Sequence, residues 1–127
     1  MAHATPSYDA LTQAFDRLHK LDHLQSIAGW DQAANMPPGG AEARAAAMAE
    51  MAALLHRLHT EPALRDHLDR AEQETLDEPQ RANLREMQRS WRQHNALPEA
   101  LVQRAHLVDA RCEHAWRTQR PANDWRG

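Results

Sequence analysis

Trp30-Asp31-Gln32-Ala33-Ala34-Asn35-Met36-Pro37-Pro38-Gly39-Gly40-Ala41-Glu42-Ala43-Arg44 is the stretch on which the fold turns. It predicts a helix ending near Asn35 and Met36, a rigid Pro-Pro-Gly-Gly corner, and a second helix opening at Ala41. Proline disfavours helical geometry in the residue before it and brings no backbone donor, while glycine relieves the turn. Three of the 4 glycines, Gly29, Gly39 and Gly40, lie in or beside this stretch, so backbone freedom is concentrated here. A plain corner needs only one proline or one glycine. Asp31 stands just before the end of the first helix and Arg44 one turn into the second. In a tight hairpin the two meet, and the carboxylate and guanidinium clamp the corner.

Outward from the corner the pattern is helical. No segment alternates with period two and β-branched residues are scarce, so strands are not supported. Ser7 is placed to cap a first helix from about Tyr8 to about Ala34, carrying Leu11, Phe15, Leu18, Leu21, Leu24 and Ile27. From Phe15 on, those apolar residues step by three, short of the ~3.6-residue turn, so their line wraps around the helix and one neighbour cannot bury it. A second helix, from Ala41 to about His59, presents Met48, Met51, Leu55 and Leu58. Thr60-Glu61-Pro62 reads as a cap followed by a proline in a first turn, opening a short third helix with Leu64 and Leu68. Asp77-Glu78-Pro79 opens a fourth, with Leu84, Met87 and Trp91, ending near His94-Asn95. Pro98 opens a fifth, whose Leu101, Ala105, Val108, Cys112 and Ala115 step by four and three until Pro121 stops it. The expected fold is all-α: a long antiparallel hairpin of the first two helices with about three further helices packed against it. The start signals recur, but the helices between them share no fixed period.

Composition narrows the function. Hydrophobic residues at 42% and charged residues at 26% describe a foldable chain, but much of the apolar share is alanine and aromatics make up only 5%. The core is expected to be thin, with apolar faces left over that find a partner. A net charge of -3 gives no basic field for nucleic acid. The single Cys112 excludes an intramolecular disulfide. No apolar run is long enough to span a bilayer, and Met1 to Ser7 lack the basic start and apolar centre of a secretory leader. The cytoplasm is the expected compartment.

Candidate chemistry is sparse. Among the 9 histidines, His19 and His23 stand one helical turn apart, the spacing of two metal ligands on a helix. Lys20 occupies the place where a zincin motif needs glutamate, and no third ligand is apparent, so solvated polar-face histidines are the simpler account. His56 and His59 lie near a helix C-terminus, which favours an imidazolium. His56 is a candidate for a positioned structural or cleft role, and metal ligation is not expected of it. Cys112 falls on the apolar stripe of the fifth helix and reads as a buried small hydrophobe rather than a nucleophile. Trp91 and Trp116 read as packing residues, whereas Trp30 and Trp125 each adjoin an aspartate at a helix boundary. Glu72, Glu74, Asp77 and Glu78 read as solvated helix-end charges.

The corner stretch resembles the signature near the N-terminus of the carboxypeptidase Taq family of zinc metallocarboxypeptidases. Further resemblance lies in Leu54-Leu55-His56 with Thr60-Glu61-Pro62-Ala63-Leu64, in Leu97-Pro98-Glu99-Ala100-Leu101-Val102, and in Ala115-Trp116, Arg120 and Asn123-Asp124-Trp125. It therefore covers nearly the whole chain from Tyr8 onward. The family's H-E-x-x-H zinc motif does not occur in these 127 residues. The resemblance thus implies that residues 1–127 are the N-terminal helical region of a larger enzyme, cut before its zinc motif. That enzyme binds zinc through two histidines and a glutamate, removes single amino acids from peptide C-termini, and is a homodimer. The N-terminal helices cover one side of its substrate groove. Carried over as scaffold and groove wall are Trp30, Asp31, Met36, Pro37, Gly39, Gly40 and Arg44; no catalytic, cofactor-binding or metal residue carries over, and no zinc is expected in this piece. Two other readings stand beside it, a non-enzymatic helical interaction module and a small His-rich metal-binding protein.

Overall fold

The computed structural model describes residues 4–126. They form five helices: α1 (Pro6–Ala34), α2 (Ala41–His59), α3 (Pro62–Ala71), α4 (Glu78–Asn95) and α5 (Glu99–Gln119). There is no strand among the described residues, and no helix is long and apolar enough to cross a membrane. Residues 1–3, part of the segment read for a leader, and Gly127 lie outside the described residues.

The all-α expectation holds, and the helix ends fall close to the predicted ones because proline and capping chemistry set them. Pro6, Pro62 and Pro79 each occupy a first helical turn, where a missing donor costs nothing. Asp77 builds a full capping box: its carboxylate accepts from the Gln80 amide at 2.8 Å, and the Gln80 side chain accepts from the Asp77 amide at 2.9 Å. Asp77 is therefore a working cap as well as an exposed helix-end charge.

Two local expectations fail for identifiable reasons. Ser7 is not the cap of α1; the helix starts two residues earlier, at Pro6, and Ser7 is buried inside its first turn. The free amides of that turn go to Glu74 from the α3–α4 connection, whose two oxygens accept from Ser7 at 2.8 Å and Tyr8 at 3.0 Å. A carboxylate at a helix N-terminus satisfies orphan donors and meets the positive end of the dipole. Thr60 does not cap α3 either. Its hydroxyl donates back to the His56 carbonyl at 2.9 Å and closes α2 instead.

The main core lies where α1, α3 and α4 converge. Leu11 is completely enclosed, and Tyr8, Leu64, Leu68, Leu76, Leu84 and Met87 pack around it. Phe15 and Trp91 lean on its edge, so Trp91 packs as expected. The Tyr8 hydroxyl stays paired by accepting from Asn83 at 3.0 Å. Each such large apolar side chain contributes roughly 1.5–3 kcal/mol by leaving water.

Beyond this core, α2 runs back along α1 as the expected antiparallel hairpin, Met48 lying near Gly29 and His59 near Phe15. The contact face of α2 is mostly alanine: Ala49, Ala52 and Ala53 are buried with Leu55, while Met48, Met51 and Leu58 are only half-buried. Small side chains let the helices approach closely but bury little. The wrapping line on α1 shows its cost: Leu18 is buried, Leu21 half-buried, and Leu24 and Ile27 exposed at 55% and 50%.

The fifth helix departs most from expectation. It lies antiparallel on α2, with Glu99 accepting from Arg57 at 2.7 Å at one end and His114 near Ala41 at the other. The face it turns to α2 carries Val102, His106, Leu107 and Ala110. The predicted core stripe points the other way: Leu101 and Val108 are exposed, and so are Ala105 and Cys112. Cys112 is thus not a buried thiol, and Trp116, 46% exposed, is not an interior packing residue. No residue of α5 is buried. A helix with apolar residues on two faces presents two candidate inner sides, and spacing alone does not choose between them.

Candidate functional site

The corner is built as a hydrogen-bonded knot. Asp31 serves it twice. Its backbone carbonyl accepts from the amides of both Asn35 and Met36 at 2.9 Å, which ends α1. Its carboxylate accepts from Arg44 Nη2 at 2.6 Å. Arg44 Nη1 donates to the Ala28 carbonyl at 2.8 Å, so one guanidinium ties the start of α2 to two places in the last turns of α1. The expected clamp is therefore present, with both partners about one-third exposed.

Between the helices, Pro37 is extended and Pro38–Gly40 make a single 3-10 turn in which the Gly40 amide donates to the Pro37 carbonyl at 2.9 Å. No glycine among the described residues has positive φ, so conformational freedom is not what this corner uses. What Gly40 supplies is room. A Cβ there would sit 3.3 Å from Met36 Cγ, tighter than a relaxed contact. At Gly39 a Cβ would meet nothing within 4 Å.

Of the motif residues, the fold brings Asp31 and Arg44 together and seats Met36 against Gly40. Trp30 is left 65% exposed on the outer side of α1, and Pro37 and Gly39 are also exposed. The corner is also tied to α5, because Arg117 donates to the Gln32 carbonyl at 2.8 Å and the Gln32 amide to Glu113 at 3.2 Å. Nothing in the motif marked Gln32 for that role, since its partners lie more than 80 residues away.

A second feature is an open groove of about 380 Å³ among α1, α2 and the α4–α5 junction. His56, His59, His94 and His106 line it together with Asp22. His56 is buried, consistent with a positioned role. His59 stacks on His94 with ring centroids 3.6 Å apart and planes within 3°. Phe15 meets His59 edge-on. The other ring of the stack is fixed by a 2.8 Å contact between His94 Nδ1 and the Ser90 carbonyl. Burial first, and then the neighbouring His94, pull the His59 pKa down from 6.5 to about 4. Its Nδ1 is buried with no hydrogen-bond partner, and Asp22 offsets only part of the depression. His94 was missed as a site residue because its partner is on another helix.

His19 and His23 are both exposed on α1, as polar-face residues should be. No group of three histidine, cysteine, aspartate or glutamate side chains among the described residues is arranged to hold a metal ion. The described residues therefore offer no three-ligand site for zinc.

Comparison with known proteins gives this geometry its context. The profile of the carboxypeptidase Taq (M32) metallopeptidases matches residues 10–127. Thermostable carboxypeptidase 1 of Thermus thermophilus is 34% identical over 112 residues, 84% of this chain and 22% of the relative. Its namesake from Pyrococcus furiosus is 29% identical over 112 residues, again 22% of the relative. The solved structure of Trypanosoma cruzi metallocarboxypeptidase 1 superposes with a TM-score of 0.77 at 37% identity, over 96% of this chain and 25% of that one. The chain thus spans between a fifth and a quarter of the length of these relatives.

Proposed function

The chain belongs to the carboxypeptidase Taq (M32) metallopeptidase family, and on that premise we propose that it is the N-terminal helical scaffold, and one wall of the peptide groove, of a zinc metallocarboxypeptidase that removes single amino acids from peptide C-termini. The observation that carries this reading is the family match over residues 10–127, with the intact Asp31–Arg44 corner inside it. Zinc, when bound by the longer enzyme, polarises the scissile carbonyl and activates water. The residues of this chain act by position. Asp31 and Arg44 fix the angle between α1 and α2, and the exposed Trp30 beside them offers an apolar surface to a peptide. The assembled enzyme is proposed to be a cytoplasmic homodimer; the single cysteine fits a reducing compartment.

By itself this chain is expected to release no C-terminal residue and to hold no zinc tightly. Incubation with a C-terminally free peptide and its blocked counterpart, with and without added zinc, checks this. Metal-dependent release from the free peptide would overturn it. The reading frame beyond Gly127 tests the larger claim: an in-frame H-E-x-x-H is expected. An immediate stop codon would favour a stand-alone helical interaction module instead.

A further inference from the structure

The groove among α1, α2 and the α4–α5 junction holds polar groups that nothing in the described chain answers. Asp22 lines it from α1, and no lysine or arginine lines it alongside. The Asp22 carboxylate takes part in no salt bridge among the described residues. Arg57, next to His56 along α2, is held by Glu99 at 2.7 Å. His56 lines the groove and is only 6% exposed. Among the described residues its ring makes no hydrogen bond; the Thr60 hydroxyl and amide reach its backbone carbonyl instead. A buried polar side chain without a partner calls for an explanation, and a ligand is one. We propose that the groove binds a primary ammonium on a short unbranched apolar stem, the ammonium donating to Asp22 and to the His56 ring.

The balance of donors and acceptors selects this ligand. A neutral imidazole keeps one nitrogen as an acceptor. Burial, and then His94 beside it, keep His59 neutral at pH 7 by lowering its pKa to about 4. His94 donates through Nδ1 to the Ser90 carbonyl at 2.8 Å, which leaves Nε2 as the acceptor of its neutral ring. With Asp22 added, the groove is rich in acceptors and negative. An anion would meet Asp22 with no lysine or arginine to oppose it. A metal ion would find no group of three ligands among the described residues. An uncharged apolar molecule would strip water from Asp22 and return no hydrogen bond. A primary ammonium brings three N–H donors and the opposite charge. The volume, about 380 Å³, lies at the small end of the ~300–1,000 Å³ usual for ligand sites. Leu55, Leu97 and Val102 supply apolar lining for a stem of a few carbons. The inference does not rest on the enzymatic reading, and its failure would leave that reading untouched.

Titration of the 127-residue chain with n-butylammonium at neutral pH, followed by amide NMR shifts, is the test. Saturable shifts are expected at His56, His94 and Val102. Acetate, and n-butanol with the same stem and no charge, should produce none at the same concentration. Tetramethylammonium, a cation without N–H donors, should bind at least about tenfold more weakly. Asp22→Asn, at an exposed position, should keep the helical circular dichroism signal and raise the dissociation constant at least about tenfold. Glu42→Gln removes an exposed carboxylate outside the groove and should leave binding unchanged. Nα-acetyl-lysine methylamide separates two sources of the ammonium. Binding as tight as that of n-butylammonium assigns the groove to a lysine side chain, and exclusion assigns it to a free amine. A titration without saturable shifts overturns the proposal. So does a site indifferent to Asp22→Asn, or one that prefers acetate.

Discussion

Where α1 meets α3 and α4, Leu11 is fully enclosed by side chains from three helices; where α5 meets α2, nothing on α5 is buried. Both regions come from amphipathic helices of ordinary composition. The first is closed because two further helices converge on the stripe of α1, and the α3–α4 connection returns Glu74 to cap its first turn. The second stays open because α5 packs along α2 and otherwise touches α1 only through Gln32, and near Leu107 and Arg111 the α2 surface is Ala41, Ala45 and Ala46. Burial scales with how many elements surround a helix, not with how apolar its sequence is. One end of this molecule is a finished core, and the other is a surface with unused apolar area.

The sharpest way to break that comparison is to cut an aliphatic side chain back to alanine at each end. Leu11→Ala removes buried methyl groups from an enclosed site and is expected to cost about 2–5 kcal/mol. Val108→Ala, on the exposed side of α5, is expected to change monomer stability by under about 0.5 kcal/mol. Urea unfolding of both variants at a concentration where the chain is monomeric gives the two numbers. Similar losses would mean that α5 is enclosed in solution as firmly as α1.

Acid probes the boundary between the two regions, where His59 joins α2 to α4. Its folded pKa of about 4 lies below its ordinary 6.5, so the unfolded chain takes up the proton more readily. The stability tied to neutral His59 is therefore complete above about pH 6.5 and is lost as the pH falls toward about 4. Asp22 pulls the other way, while His56 and His94 add to the depression. After discounting for partial exposure, a loss of roughly 1–2 kcal/mol is expected between those limits. His59→Phe keeps a ring in the stack and cannot take up a proton. The difference in denaturation midpoint between pH 7 and pH 5 should shrink in this variant, and an unchanged difference would remove His59 from the account.

Much of the frame could be read from the chain, and the reason is local. Helix ends follow from Pro6, Pro62, Pro79 and the Asp77 box, which act within a few residues of themselves. The Asp31–Arg44 pair was legible because it straddles a corner that forces its two helices together. What was not legible depends on residues far apart. Glu74 looks like a solvated charge until the fold carries it to the amides of Ser7 and Tyr8. The His59–His94 stack joins the ends of two helices whose approach no local signal announces. The outward turn of Leu101, Val108 and Cys112 was hidden because Val102, His106, Leu107 and Ala110 make an equally acceptable inner face.

Glu74 offers a way to sharpen the contrast from the closed side. Its carboxylate is the long-range cap of α1, accepting two backbone amides at once. Glu74→Ala leaves both donors to water or unpaired, and a loss of roughly 1–2 kcal/mol is expected, the upper range for a helix cap. Hydrogen exchange should report it locally, with faster exchange confined to the first turn of α1. Uniformly faster exchange along α1 would show that the cap and the Leu11 core unfold as one unit.

The smallest effect is expected at the corner, on the open side. Asp31 and Arg44 form a close ion pair at 2.6 Å, yet about a third of each side chain still meets water. Full burial would make removal of either partner cost about 3–5 kcal/mol, and full exposure would leave the pair worth under about 1 kcal/mol. The second limit is the nearer one, so a coupling of about 1 kcal/mol is expected from a double-mutant cycle of Asp31→Ala and Arg44→Ala. Arg44→Ala alone should cost more than Asp31→Ala alone, because it also strips the Ala28 carbonyl of its donor. Strictly additive losses would mean that the guanidinium holds the corner through Ala28 and not through the carboxylate. In that case the hairpin would be pinned by one backbone bond, and the open region would be looser than its geometry suggests.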